Sequence, residues 1–239
     1  MNIFIYDTFL DKYKRKVRLV EEKLNELKLQ GKIIYLRDIK NLKDSINNEI
    51  QMGAKTIVAL GNNETINKIV NVLANISEKI PLAIIPIGKN NSIAKSLGVL
   101  NEKDACYILS GRRIEKVRLA QASSSFFINN ARIKNKRTKI SVDNAYEISS
   151  KNNGECFILN LPPQKQLFDY IKIDPQDEIL NIYIESGPKS KTHFLSKNIK
   201  IKNEKERLIL DDSKEIDCPV ELSVSDKSIN FIVGRERKF

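Results

Sequence analysis

The sequence predicts an α/β plus β fold: a doubly wound parallel sheet followed by an antiparallel β-rich domain. Three observations carry this. Up to Gly111, short apolar runs rich in β-branched residues alternate with helical apolar stripes. Beyond Arg113 the stripes cease, while short strand-like runs continue to the C-terminus. Two of the early runs also end in Gly- and Asn-rich loops that open helices, the layout found at the ligand-binding edge of open parallel sheets. The boundary is set at residue 114, giving an α/β domain over 1–114 and a β-rich domain over 115–239.

Each element has its own reason. "NIFIY" is a short apolar strand, and Leu10, Tyr13, Val17, Val20, Leu24 and Leu27 follow at helical spacing, with Gly31 as the expected C-terminal cap. "KIIYL" is the second strand. Asn41 suits the start of a helix with Leu42, Ile46 and Ile50 on its apolar face, closed by Gly53. "TIVAL" is continuous and β-branched, as in a strand covered on both faces. Ile66, Ile69, Val70 and Leu73 form the next stripe. "LAIIPI" follows Pro81, a short helix near Asn91–Leu97 stops at Gly98, and Asn101 caps a last helix ending at Gly111. The remaining runs are "EKVRLAQ", "SFFINNARI", "TKISVD", "ECFILNL", "LNIYIES", "NIKIK", "RLILD", "PVELSV" and "INFIVG".

With 239 residues, 41% hydrophobic and 30% charged, the chain has the composition of a soluble globular protein. No apolar run approaches the roughly 18–20 residues that a membrane span needs. The N-terminal apolar run is broken by Asp7 and precedes its charges, so it reads as a strand and not a signal peptide. Cys106, Cys156 and Cys218 are scattered and His193 is the sole histidine, which argues against a disulfide framework, a zinc site or Ser-His-Asp and Cys-His catalysis. A cytoplasmic location is expected. The net charge of +11 follows largely from a Lys-, Ile- and Asn-rich composition, but "RIKNKRTK" (Arg132 to Lys139) stands out as an anion-facing cluster.

Two loops fall on the same sheet edge: "GNNET" after "TIVAL" and "GKNNS" after "LAIIPI". Helix N-termini offer unpaired N–H groups and a partial positive charge, which suit phosphate. Asn and Thr are also ordinary turn and N-cap residues, so either loop alone would carry little weight.

In "GNNETINKIVN" and "PLAIIPIGKNNSIAKSLG" the chain resembles the diacylglycerol and sphingosine lipid kinases, relatives of the NAD kinases. Their motifs read "GGDGT-[IL]-N-x-[VA]-[VI]-N" and "P-L-x-[IV]-[IL]-P-x-GTGND-x-A-x-x-LG". Gly61, Thr65, Asn67, Val70 and Asn71 match the first motif. Pro81, Leu82, Pro86, Gly88, Asn91, Ala94, Leu97 and Gly98 match the second. "ILSGRRIEKVRLAQASSSFFINNARI" is similar to the family's "L-x-x-G-x-x-x-x-VDL … FLNVASIG", with Asn129 at its Asn. "LILDDSKEIDCPVELSV" is similar to its late "DGE … P-[VL]-x-[VI]-x-V" motif, with Asp211 at the Asp and Pro219 at the Pro.

The resemblance implies a two-domain kinase fold, a nucleotide site at Gly61, Asn62, Asn63, Thr65, Gly88, Lys89, Asn90 and Asn91, and a catalytic Asp211. It implies ATP and Mg2+ as cofactors if the chain is active, with phosphoryl transfer to a lipid or another hydroxyl acceptor. It is compatible with peripheral attachment to an anionic membrane and with a homo-oligomer. No metal site independent of that nucleotide is expected.

The departures from the family fall on its chemistry. Asn63 stands at the Asp of GGDGT, and asparagine is neither a carboxylate base nor a strong metal ligand. Glu64 stands at its last Gly, where a positive φ would be strained and a carboxylate would repel phosphate. Lys89 is positioned to bind phosphate or to pair with Glu64. Arg118 replaces the Asp of VDL, Ser213 the Glu of DGE, and "YDTFLD" the initial "NP-x-SG" loop; the β-rich part is also shorter than usual. Two function classes follow: an ATP-dependent kinase, and an inactive pseudokinase acting as a binding or regulatory module. Use of the basic surface for nucleic acid or an anionic membrane ranks behind both, and no recognisable nucleic-acid motif supports the former.

Overall fold

The computed structural model describes residues 1–143, 145–149, 153–162, 173–186, 190–237 and 239. The chain forms two compact units, one of Met1–Val117 with Ile229–Lys238, the other of Arg118–Ser228 with Phe239.

In the first unit, β1 (Asn2–Tyr6), α1 (Lys14–Glu26), β2 (Gly31–Tyr35), α2 (Leu42–Gln51), β3 (Thr56–Gly61), α3 (Asn63–Leu73) and β4 (Leu82–Pro86) alternate, and α4 (Ser92–Ser96) and α5 (Glu102–Gly111) follow. The strands are parallel in the order β2-β1-β3-β4. Every residue of β3 and β4 is buried, as their unbroken apolar runs require of strands covered on both faces. Helix α1 packs on α5 and α2 on α3, the helix layers of a doubly wound sheet.

Helix ends follow the local chemistry. Asn41 and Asn101 accept backbone N–H groups at the starts of α2 and α5. Gly53 and Gly98 close their turns with φ of +88° and +78°. Gly31 does not cap α1. It opens β2, and a Cβ there would collide with the Asn2 carbonyl; the left-handed residue beyond α1 is Lys28, at φ +54°. The register between β1 and β2, which sequence spacing does not reveal, is what demands a glycine.

The second unit is a β-sandwich. Strand β5 (Ile114–Ala122) carries the chain into it and pairs with β6 (Ser125–Phe127). Then come β7 (Asn130–Lys134), β8 (Lys139–Val142), β9 (Tyr146–Ser149), β10 (Glu155–Leu159), β11 (Leu180–Glu185), β12 (Lys191–Ser196), β13 (Asn198–Lys202), β14 (Leu208–Leu210), β15 (Lys214–Ile216) and β16 (Val220–Ile232). One sheet runs β12-β11-β10-β7-β14-β15; in the other, β16 pairs with β13, β13 with β8 and β8 with β9. Phe127, Ile133, Ile158, Ile182, Ile201 and Leu222, drawn from both sheets, share one buried core.

Three strands escape the sequence reading: β9, β12 and β15, whose exposed residues hide the alternation. "PVELSV" and "INFIVG", read as two strands, are one: β16, thirteen residues long. Its far end returns to the first unit, where Phe231 pairs with Leu82 and Val233 N–H bonds to the Arg113 carbonyl at 2.9 Å.

Candidate functional site: the loops beyond β1, β3 and β4

At the C-terminal edge of the first unit's sheet, three loops are tied together by side chains. Asn62 is the N-cap of α3. Its Oδ1 accepts the N–H groups of Glu64 (3.0 Å) and Thr65 (3.3 Å), while Thr65 Oγ1 accepts the Asn62 N–H (3.3 Å), completing a capping box. Thr65 Oγ1 then donates to Asp7 Oδ2 at 2.7 Å, and Asp7 N–H reaches the Leu60 carbonyl at 3.3 Å. Asp7 also caps the 3-10 turn Thr8–Tyr13. Gly61 is a glycine because the Thr65 side chain occupies the space of its missing Cβ.

Asn63 links this loop to the next. It is 0% exposed. Its N–H donates to the Asn90 carbonyl (2.9 Å), its Nδ2 donates to Ser92 Oγ (2.8 Å), and its Oδ1 accepts the Ile93 N–H (3.2 Å). The second loop turns at Gly88 (φ +93°) and Asn90 (φ +60°), with Phe9 lying 3.0 Å from where a Gly88 Cβ would stand. Asn91 Nδ2 donates to the Gly88 carbonyl at 3.0 Å, while its Oδ1 is buried with no hydrogen-bond partner among the described residues. Lys89 is exposed.

Glu64 departs from both expectations placed on it. It lies in the first turn of α3 with an ordinary helical φ, so no strain arises, and it pairs with Lys68 at 2.7 Å, one turn along, and not with Lys89. A carboxylate there favours the helix dipole.

Asp211 belongs to the second unit. It is 0% exposed, with φ +46°, just after β14. Its carboxylate accepts three backbone N–H groups, from Ile128 (2.8 Å), Asn129 (2.7 Å) and Asn130 (3.0 Å). The "SFFINNARI" run therefore divides into β6 and β7 around a turn held by one buried carboxylate. Arg118 pairs with Glu178 at 3.1 Å, and Ser213 lies exposed in the turn after Asp211.

Sequence reasoning gathered the two loops but missed how they close. It weighed Asn63 and Glu64, whereas Asn62 fills the helix N-terminus, and Asp7 and Ser92 join the loops. The pattern Asn62-x-x-Thr65 was a readable capping-box signal. Burial pushes the Cys106 thiol up to about 11 and Cys156 up to about 12, and raises Cys218 as well, so all three favour the protonated thiol at neutral pH.

An open parallel sheet with paired loops at its carboxyl edge, joined to a β-sandwich, defines the fold class of the NAD and diacylglycerol kinases. An NAD kinase from Archaeoglobus fulgidus, solved in complex with ATP, is similar at a TM-score of 0.61 and 14% identity, over 100% of this chain and 96% of that one. A diacylglycerol kinase structure from Bacillus anthracis str. Sterne is similar at a TM-score of 0.73 and 17% identity, over 98% and 97%. Residues 10–122 match the diacylglycerol kinase catalytic domain profile. A diacylglycerol kinase of Bacillus subtilis (strain 168) is 35% identical over 76 residues, a stretch that spans 30% of this chain but only a quarter (25%) of that relative. Over residues 10–122 the chain is similar to the diacylglycerol kinase catalytic domain, and the stretch at the GGDGT position reads Gly61-Asn62-Asn63-Glu64-Thr65. No helix among the described residues is long and apolar enough to cross a membrane.

Proposed function

We propose that this chain is a diacylglycerol-kinase-like protein whose nucleotide loop is closed on itself, a relative that does not transfer phosphate and serves as a binding or regulatory module. One observation supports this above the others: the N–H groups that would cradle phosphate at the start of α3 already have partners. Asn63 N–H bonds to the Asn90 carbonyl, and the Glu64 and Thr65 N–H groups bond to the Asn62 side chain. A helix N-terminus attracts anions through donors it leaves unpaired, and here that capacity is used internally.

The closed loop does not fit a triphosphate with its Mg2+. Binding would require the Asn62 cap to open and the Glu64 carboxylate to sit beside the anion. At about 4 Å, like charges cost roughly 1 kcal/mol in water and about 4 kcal/mol at a partly buried site. Asn63, at the position of the motif's Asp, supplies no carboxylate. Asp211, the remaining acid from the family pattern, would have to give up three backbone donors to act as a base. The alternative, an active kinase using ATP and Mg2+ on a lipid acceptor, draws its support from the family alone.

The test is a transfer assay with labelled ATP, Mg2+ and a lipid extract containing diacylglycerol, run beside an active family member. The expected result is no labelled lipid at protein concentrations far above those at which the active enzyme consumes its substrate. Labelled product that disappears on Asn63→Ala would overturn the reading.

A further inference from the structure

A cavity of about 490 Å³ opens in the first unit between α5, the turn that precedes it and the segment that follows β16. That volume is within the usual range of small-molecule sites. It shares no residue with the loops beyond β1, β3 and β4. The segment is held in place: Val233 N–H bonds to the Arg113 carbonyl and Gly234 N–H to the Leu97 carbonyl, both at 2.9 Å. Gly98, Gly111 and Gly234 present bare backbone to the cavity. At two of these positions the close approach of chains demands a glycine. A Cβ on Gly98, where φ is +78°, would stand 2.5 Å from the Arg237 nitrogen, and one on Gly234 would collide with the Gly98 carbonyl.

Leu100, Tyr107, Ile108 and Val233 give the cavity an apolar wall. Leu100 and Tyr107 remain 51% and 47% exposed, so a ligand seated there would take apolar surface out of water. The rim carries an excess of cations. In the two segments that meet there, Arg112, Arg113, Lys116, Arg235 and Arg237 stand against Glu115 and Glu236. The Glu115 carboxylate is shared by Arg113 (3.5 Å) and Arg237 (2.8 Å). Arg235 is exposed, with no carboxylate within ion-pair distance among the described residues. Asp104, also in the lining, already accepts the Asn101 Nδ2 at 2.6 Å. Scattered surface charges and single exposed apolar residues are ordinary. An apolar cavity ringed by surplus guanidinium groups is the complement of an anion with an apolar body.

We infer that this cavity is a binding site for a small aromatic carboxylate. Charge selects an anion, and the volume selects a small molecule over a polymer chain. The Tyr107 ring and the glycine backbone offer flat surfaces to an aromatic ring, and Arg113 and Arg235 offer planar guanidinium groups that match a carboxylate. The inference does not depend on whether the nucleotide loop is closed.

Equilibrium dialysis of the intact protein against 2-naphthoate tests it. Saturable uptake of a single molecule per chain is expected at millimolar concentration or below. The same ring bearing a cation, 2-naphthylmethylammonium, should bind at least about tenfold weaker. The variant Leu100→Ser/Tyr107→Ser, which strips the apolar wall, should weaken uptake of 2-naphthoate by about tenfold or more. Arg113→Gln/Arg235→Gln should weaken it by about fivefold. A control with equal charge loss, Lys40→Gln/Lys55→Gln, should change it by less than about twofold, since those lysines lie outside the cavity. All six positions are exposed, and circular dichroism checks that the variants fold. No saturable uptake of 2-naphthoate, equal uptake of the cationic compound, or equal losses in the two charge variants would overturn the assignment. So would uptake that survives Leu100→Ser/Tyr107→Ser, which would place the compound outside this cavity.

Discussion

Asn62 stands where the GGDGT motif has its second glycine, and its side chain accepts the Glu64 and Thr65 N–H groups in the first turn of α3. Asp211 does the same for the 128–130 turn. Both are acidic or amide side chains used as backbone anchors at positions that sequence comparison marks as chemical. The physical stakes differ. A capping side chain is worth about 1 kcal/mol, whereas a buried carboxylate with three donors leaves all three unpaired when removed. Asp211→Ala should therefore lower unfolding free energy by about 3 kcal/mol or more in a urea titration, with Asp211→Asn intermediate because its amide offers only one acceptor oxygen. A loss under about 1 kcal/mol would mean that the turn does not rely on that carboxylate. Sequence reading found these positions but could not assign their roles, since spacing does not say whether an oxygen faces solvent or a backbone N–H.

Elements with one dominant signal were legible. Continuous β-branched runs gave β3 and β4, and Asn41 and Asn101 announced α2 and α5. Elements whose pattern is set by distant partners were not. Gly31 looked like a helix cap because the close approach of β1 is invisible in sequence. The long β16 looked like two strands because Ser225, Asp226 and Lys227 interrupt its apolar residues. Nothing in "INFIVG" signals that its residues belong to the first unit's core. Phe231 is fully buried there beside Leu82, so Phe231→Ala should cost about 3–5 kcal/mol by chemical denaturation despite lying eight residues from the C-terminus. A loss below about 1 kcal/mol would show that this return segment does not hold the unit together.

For the molecule as a whole, the fold shared with the diacylglycerol and NAD kinases is kept, while on the proposed reading its chemistry is not. Both units remain, yet the N–H groups at the start of α3 bond to Asn62 and Asn90, and Asp7 from the loop beyond β1 bonds to Thr65. Thr65 bonds to Asp7 and Asn62, and Asn63 separately to Ser92, so a single reversion such as Asn63→Asp restores a charge without removing the Asn62 cap. The most direct measurement is a Mg-ATP titration followed by thermal unfolding, on the wild type and on Asn62→Gly/Glu64→Gly. That pair of changes frees the two capped N–H groups and removes the carboxylate. The account predicts no Mg-ATP-dependent rise in Tm for the wild type at millimolar nucleotide, and a rise that grows with Mg-ATP concentration for the variant. A wild type stabilised by Mg-ATP as much as the variant, or more, would contradict it.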